Sequence, residues 1–257
     1  MRKQIQKRPS PKTRVLDKIQ KILANEGVAS RREIERWIEK GRIMVNKQLA
    51  QLGQRIDPKK DKVAIDGKPV RFTKNNITKT RVIIYHKPEG EICTRNDPEG
   101  RKTIYDQLPK IHHGRWISIG RLDINSSGLL LLTNDGELAN QLMHPSNQIE
   151  REYAVRVIGE VDNAIISRLK QGVKLDDGFA KFNRIKFSGG SGLNQWYHVV
   201  ITEGRNREVR RLWASQNITV SRLIRIRFGN VFLPRNLRRG AFEELSADVV
   251  KQLRKKD

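Results

Sequence analysis

A single carboxylate, Asp123, lies between two glycines and ahead of an apolar run in the string Gly120-Arg121-Leu122-Asp123-Ile124-Asn125-Ser126-Ser127-Gly128-Leu129-Leu130-Leu131-Leu132. The surrounding chain is strongly cationic, with 52 Lys and Arg against 28 Asp and Glu and a formal charge of +24. In a protein whose field draws in polyanions, an acid in a glycine-flanked turn opposes ligand docking unless it has a chemical or orienting task. Aspartate is a carboxylate at neutral pH without assistance, so it can serve as nucleophile or base. Trp116-Ile117-Ser118-Ile119 reads as a strand leading into Gly120. Gly128 permits a second bend, and Leu129 to Leu132 suit a strand buried on both faces. Asp123 is thereby anchored on both sides by elements that cannot easily move, as a reacting group requires.

Two further strings carry candidate chemistry. Glu150-Arg151-Glu152-Tyr153 begins an alternating strand, and on pattern alone Tyr153 is a sheet aromatic. Glu203-Gly204-Arg205-Asn206-Arg207-Glu208-Val209-Arg210-Arg211-Leu212 concentrates four arginines suited to phosphate or carboxylate. Cys93 is the only cysteine, which excludes an intramolecular disulfide and a multi-cysteine metal site. The five histidines lack paired ligand spacing, and His112-His113 reads as a surface loop. Neither a glycine-rich dinucleotide loop nor a Gly-Lys-Ser/Thr phosphate loop is present, so no cofactor and no metal is expected. No apolar stretch approaches the roughly 18 residues of a membrane span, and no apolar signal-peptide core follows Met1. A soluble cytoplasmic protein with a phosphate-rich partner is the expectation.

The elements that must carry these residues fall into two groups. Residues 1–13 form a basic tail with two prolines and no acid. From residue 14, Leu16, Ile19, Ile22 and Leu23 recur at helical spacing up to Gly27. Ser30 is a candidate N-cap, with Glu33 as its reciprocal partner in a capping box. Ile34, Trp37 and Ile38 form the apolar side of a second helix that ends at Gly41. Short strands follow at Ile43–Asn46 and Val63–Gly67. Residues 14–73 resemble the S4 RNA-binding module: helix, Gly, Ser-Arg-Arg-Glu, helix, Gly-Arg, strand, Val-Asn-Lys. Lys47 departs from it, standing where relatives usually carry glycine. Arg14, Lys18, Ser30, Arg31, Arg32, Arg36, Lys40 and Arg42 are the candidate RNA contacts of this module. Residues 74–80, rich in Lys, Asn and Thr, form a linker.

Residues 81–250 form the second domain, and a basic tail covers 251–257. Alternating patterns at Tyr153–Ile158, Phe182–Phe187, Trp196–Ile201 and Arg222–Phe228, with helices at Ala164–Leu169 and Arg207–Ala214, give an α+β fold with a largely antiparallel mixed sheet. Simple alternation places Arg225 and Arg227 on one face of their strand and Ile224, Ile226 and Phe228 on the other.

The Asp123, Tyr153 and Arg210 strings resemble the pseudouridine synthases, in the branch that modifies ribosomal RNA, over residues 14–245. The resemblance implies conversion of a uridine in structured large-subunit rRNA, the uridine-2605 equivalent near the peptidyl transferase centre. It implies Asp123 as nucleophile, through attack on C1′ or through deprotonation of the sugar. Tyr153 would stack on the target base and Arg210 would pair with Asp123, with Arg211 the nearest alternative. Lys87, Arg95, Arg121, Arg205, Arg207 and Arg211 would contact RNA. A monomer is expected. A catalytically silent RNA-binding assembly protein is the competing reading, and it leaves Asp123, Tyr153 and Arg210 unexplained.

Overall fold

The computed structural model describes residues 16–72, 79–111 and 114–254. Arg14, the amino-terminal tail, most of the 74–80 linker and His112-His113 lie outside them. The chain divides into two compact units, one of residues up to 78 with 112–115 and one of residues 79–111 with those from 116 onward.

In the first unit, α1 (Ile19–Asn25) and α2 (Arg31–Glu39) pack on the antiparallel sheet β3-β2-β5-β6, formed by Gln48–Leu49, Ile43–Val45, Val63–Ile65 and Lys68–Pro69. A short pairing of β1 (Asp17–Lys18) with β4 (Arg55–Ile56) fixes the entry into α1. Ile19, Leu23, Ile34 and Ile43 are fully buried, so the helices supply one side of the core and the strands the other. Ser30 caps α2 by accepting a hydrogen bond from the Glu33 amide at 3.1 Å. The reciprocal half of the capping box does not form. The Glu33 carboxylate instead accepts from Trp37 Nε1 at 2.9 Å and pairs with Arg36, because an (i, i+4) indole and an (i, i+3) guanidinium lie on its own helix face.

In the second unit, nine strands form one sheet in the order β13-β14-β10-β15-β9-β7-β17. Their ranges are Arg184–Ser191, Asn194–Ile201, Arg151–Ile158, Thr219–Phe228, Ser127–Thr133, Val82–Lys87 and Phe242–Glu244. β8 (Ile117–Ile119) adds to β9 and β16 (Val231–Phe232) to β15. Every pairing is antiparallel except β9 with β15. The hairpin β11–β12 (Val173–Leu175, Gly178–Ala180) stands apart from this sheet. Helices α3 (Gly136–Met143), α4 (Asn163–Gln171), α5 (Glu208–Ala214) and α6 (Ala247–Arg254) complete the unit.

Two apolar clusters share the central strands. Leu130 and Leu132 belong to one and Leu129 and Leu131 to the other, so β9 is buried on both faces from end to end. Helix α6 runs past residue 251, where a tail was expected. Val250 and Leu253 sit three apart on the buried side of α6 and extend the folded chain to Arg254.

Arg225 and Arg227 do not share a face in the way simple alternation predicts. The β10–β15 pairing slips by one residue, setting Glu152 opposite Arg227 but Tyr153 opposite Arg225. Adjacent residues of β10 point to opposite sides, so the bulge divides the two arginines between them. Both are buried, one on each side of the sheet.

The β2–β3 hairpin turns on Asn46 and Lys47, with φ of 51° and 69°. Both central positions are left-handed, as in a type I′ turn, where glycine is strongly favoured at the second. We therefore expect Lys47→Gly to stabilise this hairpin by about 0.5–1 kcal/mol. Amide exchange of Val45 and Ala50 should slow by roughly 2–5-fold; unchanged or faster exchange would contradict the assignment.

Candidate active site

Asp123 lies on the short crossing between β8 and β9. Gly120 opens it with φ of +78°. At its far end Gly128, at φ +105°, packs against the neighbouring strand so closely that a Cβ there would stand 2.3 Å from the Arg225 carbonyl oxygen. Only glycine allows the parallel β9–β15 contact at this point, which pairs Ser127 with Ile224 and Gly128 with Arg225.

The backbone between these glycines is held at five successive carbonyls. Leu122 O accepts from Cys93 Sγ at 3.4 Å, Asp123 O from Lys87 Nζ at 3.1 Å, and Ile124 O from the Gly90 amide at 2.8 Å. Asn125 O accepts from Arg210 Nη2 at 2.8 Å, and Ser126 O from Lys87 Nζ at 2.8 Å. Lys87 also donates to Pro88 O at 2.9 Å, and its side chain is fully buried. Burial pushes the Lys87 ammonium below the ordinary lysine value, while the acidic groups of Cys93, Glu91, Asp123 and Glu89 act against that shift. Lys87 is therefore a buried brace of the loop and not the surface RNA contact expected of it. The residue looks like an exposed turn cation because Pro88-Glu89-Gly90 follows it, yet it closes β7, and all three ammonium hydrogens have carbonyl acceptors.

A cleft of about 830 Å³ opens beside this loop. Asp123, half-buried, lines it together with Tyr153, which is 7% exposed. Leu122, Ile201, Val209 and Leu223 supply apolar wall. Tyr153 both begins the alternating strand β10 and contributes to the cleft, so its sheet packing and a surface for a planar ligand coexist.

Arg151 and Glu208, which carry no role expected from the sequence, also shape the cleft. Buried Arg151 donates to the carbonyls of Ile149 at 2.8 Å, Thr202 at 2.6 Å and Glu203 at 3.3 Å, fixing the loop that carries Arg205 and Arg207. Glu208 accepts from the Arg205 amide at 3.1 Å, and burial raises its carboxyl above the usual range. The available signal was parity, since Arg151 stands two residues before Tyr153 and so shares its face.

The four arginines of the downstream string behave differently. Arg210 donates to Val220 O and Asn125 O, both at 2.8 Å. Burial and the neighbouring Arg207 lower its basicity, and Asp123 and Glu89 raise it. Asp123 and Arg210 therefore sense one another, but the guanidinium reaches the loop through its backbone, and the expected direct ion pair is replaced by these carbonyl contacts. Arg211 turns the other way into a two-pronged pair with Asp177 at 2.8 and 2.7 Å. Arg205 bonds Glu203 and Phe179 O, whereas Arg207 is exposed at the N-cap of α5 with φ of 48°. Arg205 and Arg207 line the cleft, as does exposed Arg121. Arg95 lies outside that lining, with Nη2 on Trp116 O at 2.6 Å and its guanidinium 4.1 Å from the Tyr105 ring centre.

In the first unit Lys18, Arg31, Arg32 and Lys40 are exposed. Arg36 pairs with Glu33, and Arg42 pairs with Asp66 while lying 4.7 Å over the Trp37 ring. Ser30 serves the helix cap described above.

The family described as RNA pseudouridylate synthase matches residues 81–215, and the S4 domain matches residues 18–63. The ribosomal large subunit pseudouridine synthase B of Haemophilus influenzae is 57% identical over 239 residues, which cover 93% of this chain and 67% of that protein. Its namesake in Escherichia coli K12 is 55% identical over 239 residues, covering 93% of this chain and 82% of that protein. A crystal structure of a pseudouridylate synthase superposes with a TM-score of 0.64 at 22% identity, over 92% of this chain and 99% of that one, a likeness of fold. An S4 domain therefore precedes a synthase domain in which Asp123 stands on a braced loop beside Tyr153, and the chain belongs to the RNA pseudouridylate synthase family.

Proposed function

We propose that this chain isomerises one uridine of large-subunit ribosomal RNA to pseudouridine, at the uridine-2605 equivalent near the peptidyl transferase centre. The observation that carries the reading is Asp123, open to an arginine-rich cleft while its own loop is held at every carbonyl from 122 to 126. A carboxylate so held meets a substrate in one orientation, which reduces the entropy and reorganisation left to the reaction.

The reaction breaks the C1′–N1 bond and joins C1′ to C5 of the same uracil. The electron pair of the broken bond leaves with the base, whose negative charge spreads from N1 onto O2 and O4. Asp123 either bonds C1′ through a carboxylate oxygen or removes a sugar proton, so that the ribose carbon is stabilised while the base turns. Attack by C5 on C1′ then makes the carbon–carbon bond as the Asp123–C1′ bond breaks or, in the other route, as the abstracted proton returns to the sugar; C5 loses its proton, and N1 gains one. Tyr153 offers the extruded uracil a flat surface in place of its lost neighbours. Arg210 acts on Asp123 through the loop backbone and through its charge. Exposed Arg121 and Arg207 suit phosphate contacts along the cleft, and Arg31, Arg32 and Lys40 suit contacts on the S4 unit. A monomer working in the cytoplasm, on rRNA or an assembly intermediate, completes the proposal.

Asp123→Asn should abolish product while retaining most RNA affinity, since volume is preserved and only charge and nucleophilicity are removed. Pseudouridine mapping of rRNA with and without the gene checks target and class together. An unchanged map, or an active Asp123→Asn enzyme, would defeat the proposal. Tyr153→Phe should retain more turnover than Tyr153→Ala, and normal rates in both would return Tyr153 to a purely structural role.

Lys87→Met leaves the loop carbonyls without their donor and should cost about 2–4 kcal/mol of stability in the second unit. Saturated turnover should fall with it, while weak, salt-dependent RNA binding persists. Urea unfolding and single-turnover rates measure the two effects, and full turnover with unchanged stability would contradict the bracing role.

Arg210→Ala should lower the saturated single-turnover rate more than it weakens binding. Arg207→Ala should instead weaken binding and reduce its salt dependence. A normal saturated rate for Arg210→Ala would remove it from the mechanism.

A further inference from the structure

Arg225 is a cation for which the proposed roles above give no use. It is 2% exposed, yet it lines the cleft. Its Nε donates to Leu129 O at 2.7 Å, its guanidinium lies 5.5 Å over the Phe228 ring, and Nη2 is buried with no acceptor among the described residues. Arginine remains charged in a protein, and a buried guanidinium without a carboxylate costs stability that an incoming acceptor recovers.

Its position narrows what that acceptor can be. The β10–β15 bulge sets Arg225 directly opposite Tyr153, so the two side chains are cross-strand neighbours about 5 Å apart at Cβ. A base packed on Tyr153 would lie within reach of the guanidinium. Gly120 lies against it from the side of the catalytic loop, and a Cβ built there would stand 4.0 Å from Nη1. The guanidinium is thus buried directly behind the loop that carries Asp123, with no side chain at position 120 between them. Arg151, itself buried, lies near enough to Arg225 for the two charges to oppose each other, so this part of the cleft favours negative charge.

We propose that Arg225 touches the target base and stabilises the uracil anion released when the C1′–N1 bond breaks, accepting its charge through hydrogen bonds to a ring carbonyl oxygen. The inference rests on the proposed isomerisation. It is independent of whether Asp123 attacks C1′ or removes a sugar proton, because the base departs with the bonding pair in both routes. A donor held in a dry site and aimed at developing charge acts on the transition state more than on ground-state binding.

The test compares Arg225→Ala, Arg225→Met and Arg225→Lys in the full chain, with an rRNA fragment containing the mapped uridine. Single-turnover rates at saturating RNA are measured beside equilibrium binding and thermal melting. Arg225→Met should lose about 100-fold in saturated rate with binding within about threefold. Arg225→Lys should exceed Arg225→Met by tenfold or more, and millimolar guanidinium should restore part of the Arg225→Ala rate. A purely structural arginine would show neither lysine retention nor guanidinium rescue in a variant that melts normally. Saturated rates for Arg225→Met equal to the parent or to Arg225→Lys would overturn the inference, as would an Arg225→Ala defect that guanidinium leaves unchanged. A parent enzyme that forms no pseudouridine would instead reject the functional reading itself.

Discussion

One buried ammonium organises the catalytic end of the sheet. Lys87 closes β7 and binds the carbonyls of Pro88, Asp123 and Ser126, so a central strand, the turn after it and both ends of the Asp123 loop meet at a single charge. Burying a cation is costly, and here the cost is offset by three aligned acceptors that would otherwise be poorly solvated. A neutral donor could serve one or two of these carbonyls. An ammonium serves three in different directions, which is how a loop of irregular backbone holds one shape.

The remaining loop contacts come from elements far apart in sequence. Cys93 and Gly90 reach it from the turn after β7, and Arg210 reaches it from α5. The parallel contact between Gly128 and Arg225 then fixes the loop against β15, whose bulge sets Arg225 opposite Tyr153. Each step depends on the one before. Had β15 paired with β10 without a slip, Arg225 would have moved with Arg227 to the side of Glu152, and the cleft would hold one buried cation fewer.

These dependencies explain what was legible in the sequence. The apolar run Leu129–Leu132 between glycines announced a doubly buried strand, and Asp123 stood out because its charge opposed that of the chain. The S4-like helix pair was legible from apolar spacing and from the Ser30 cap. Lys87 was not, because the turn signal after it describes the next residues and carries no information about which carbonyls return to it. Arg225 and Arg227 were misplaced for a related reason: period-two reasoning assumes an unbroken ladder, and a bulge is set by the partner strand. Glu33 has the same character, since a capping-box pattern records a possible partner and the helix face supplies two better ones.

Partner chemistry sorts the chain's many cations better than their number does. Arg36, Arg42, Arg211 and Arg227 face carboxylates, and their charge is largely cancelled within the protein. Lys87, Arg151 and Arg210 face carbonyls, which are dipoles without net charge, so each orders a loop and still leaves a positive field around it. That field falls on the cleft that holds Asp123. Lys87 and Arg210 both sense the charge of Asp123, and neither is paired with it directly. The cations are held at backbone carbonyls, which leaves the carboxylate oxygens to a substrate, whereas a direct ion pair would have to be broken before Asp123 could react.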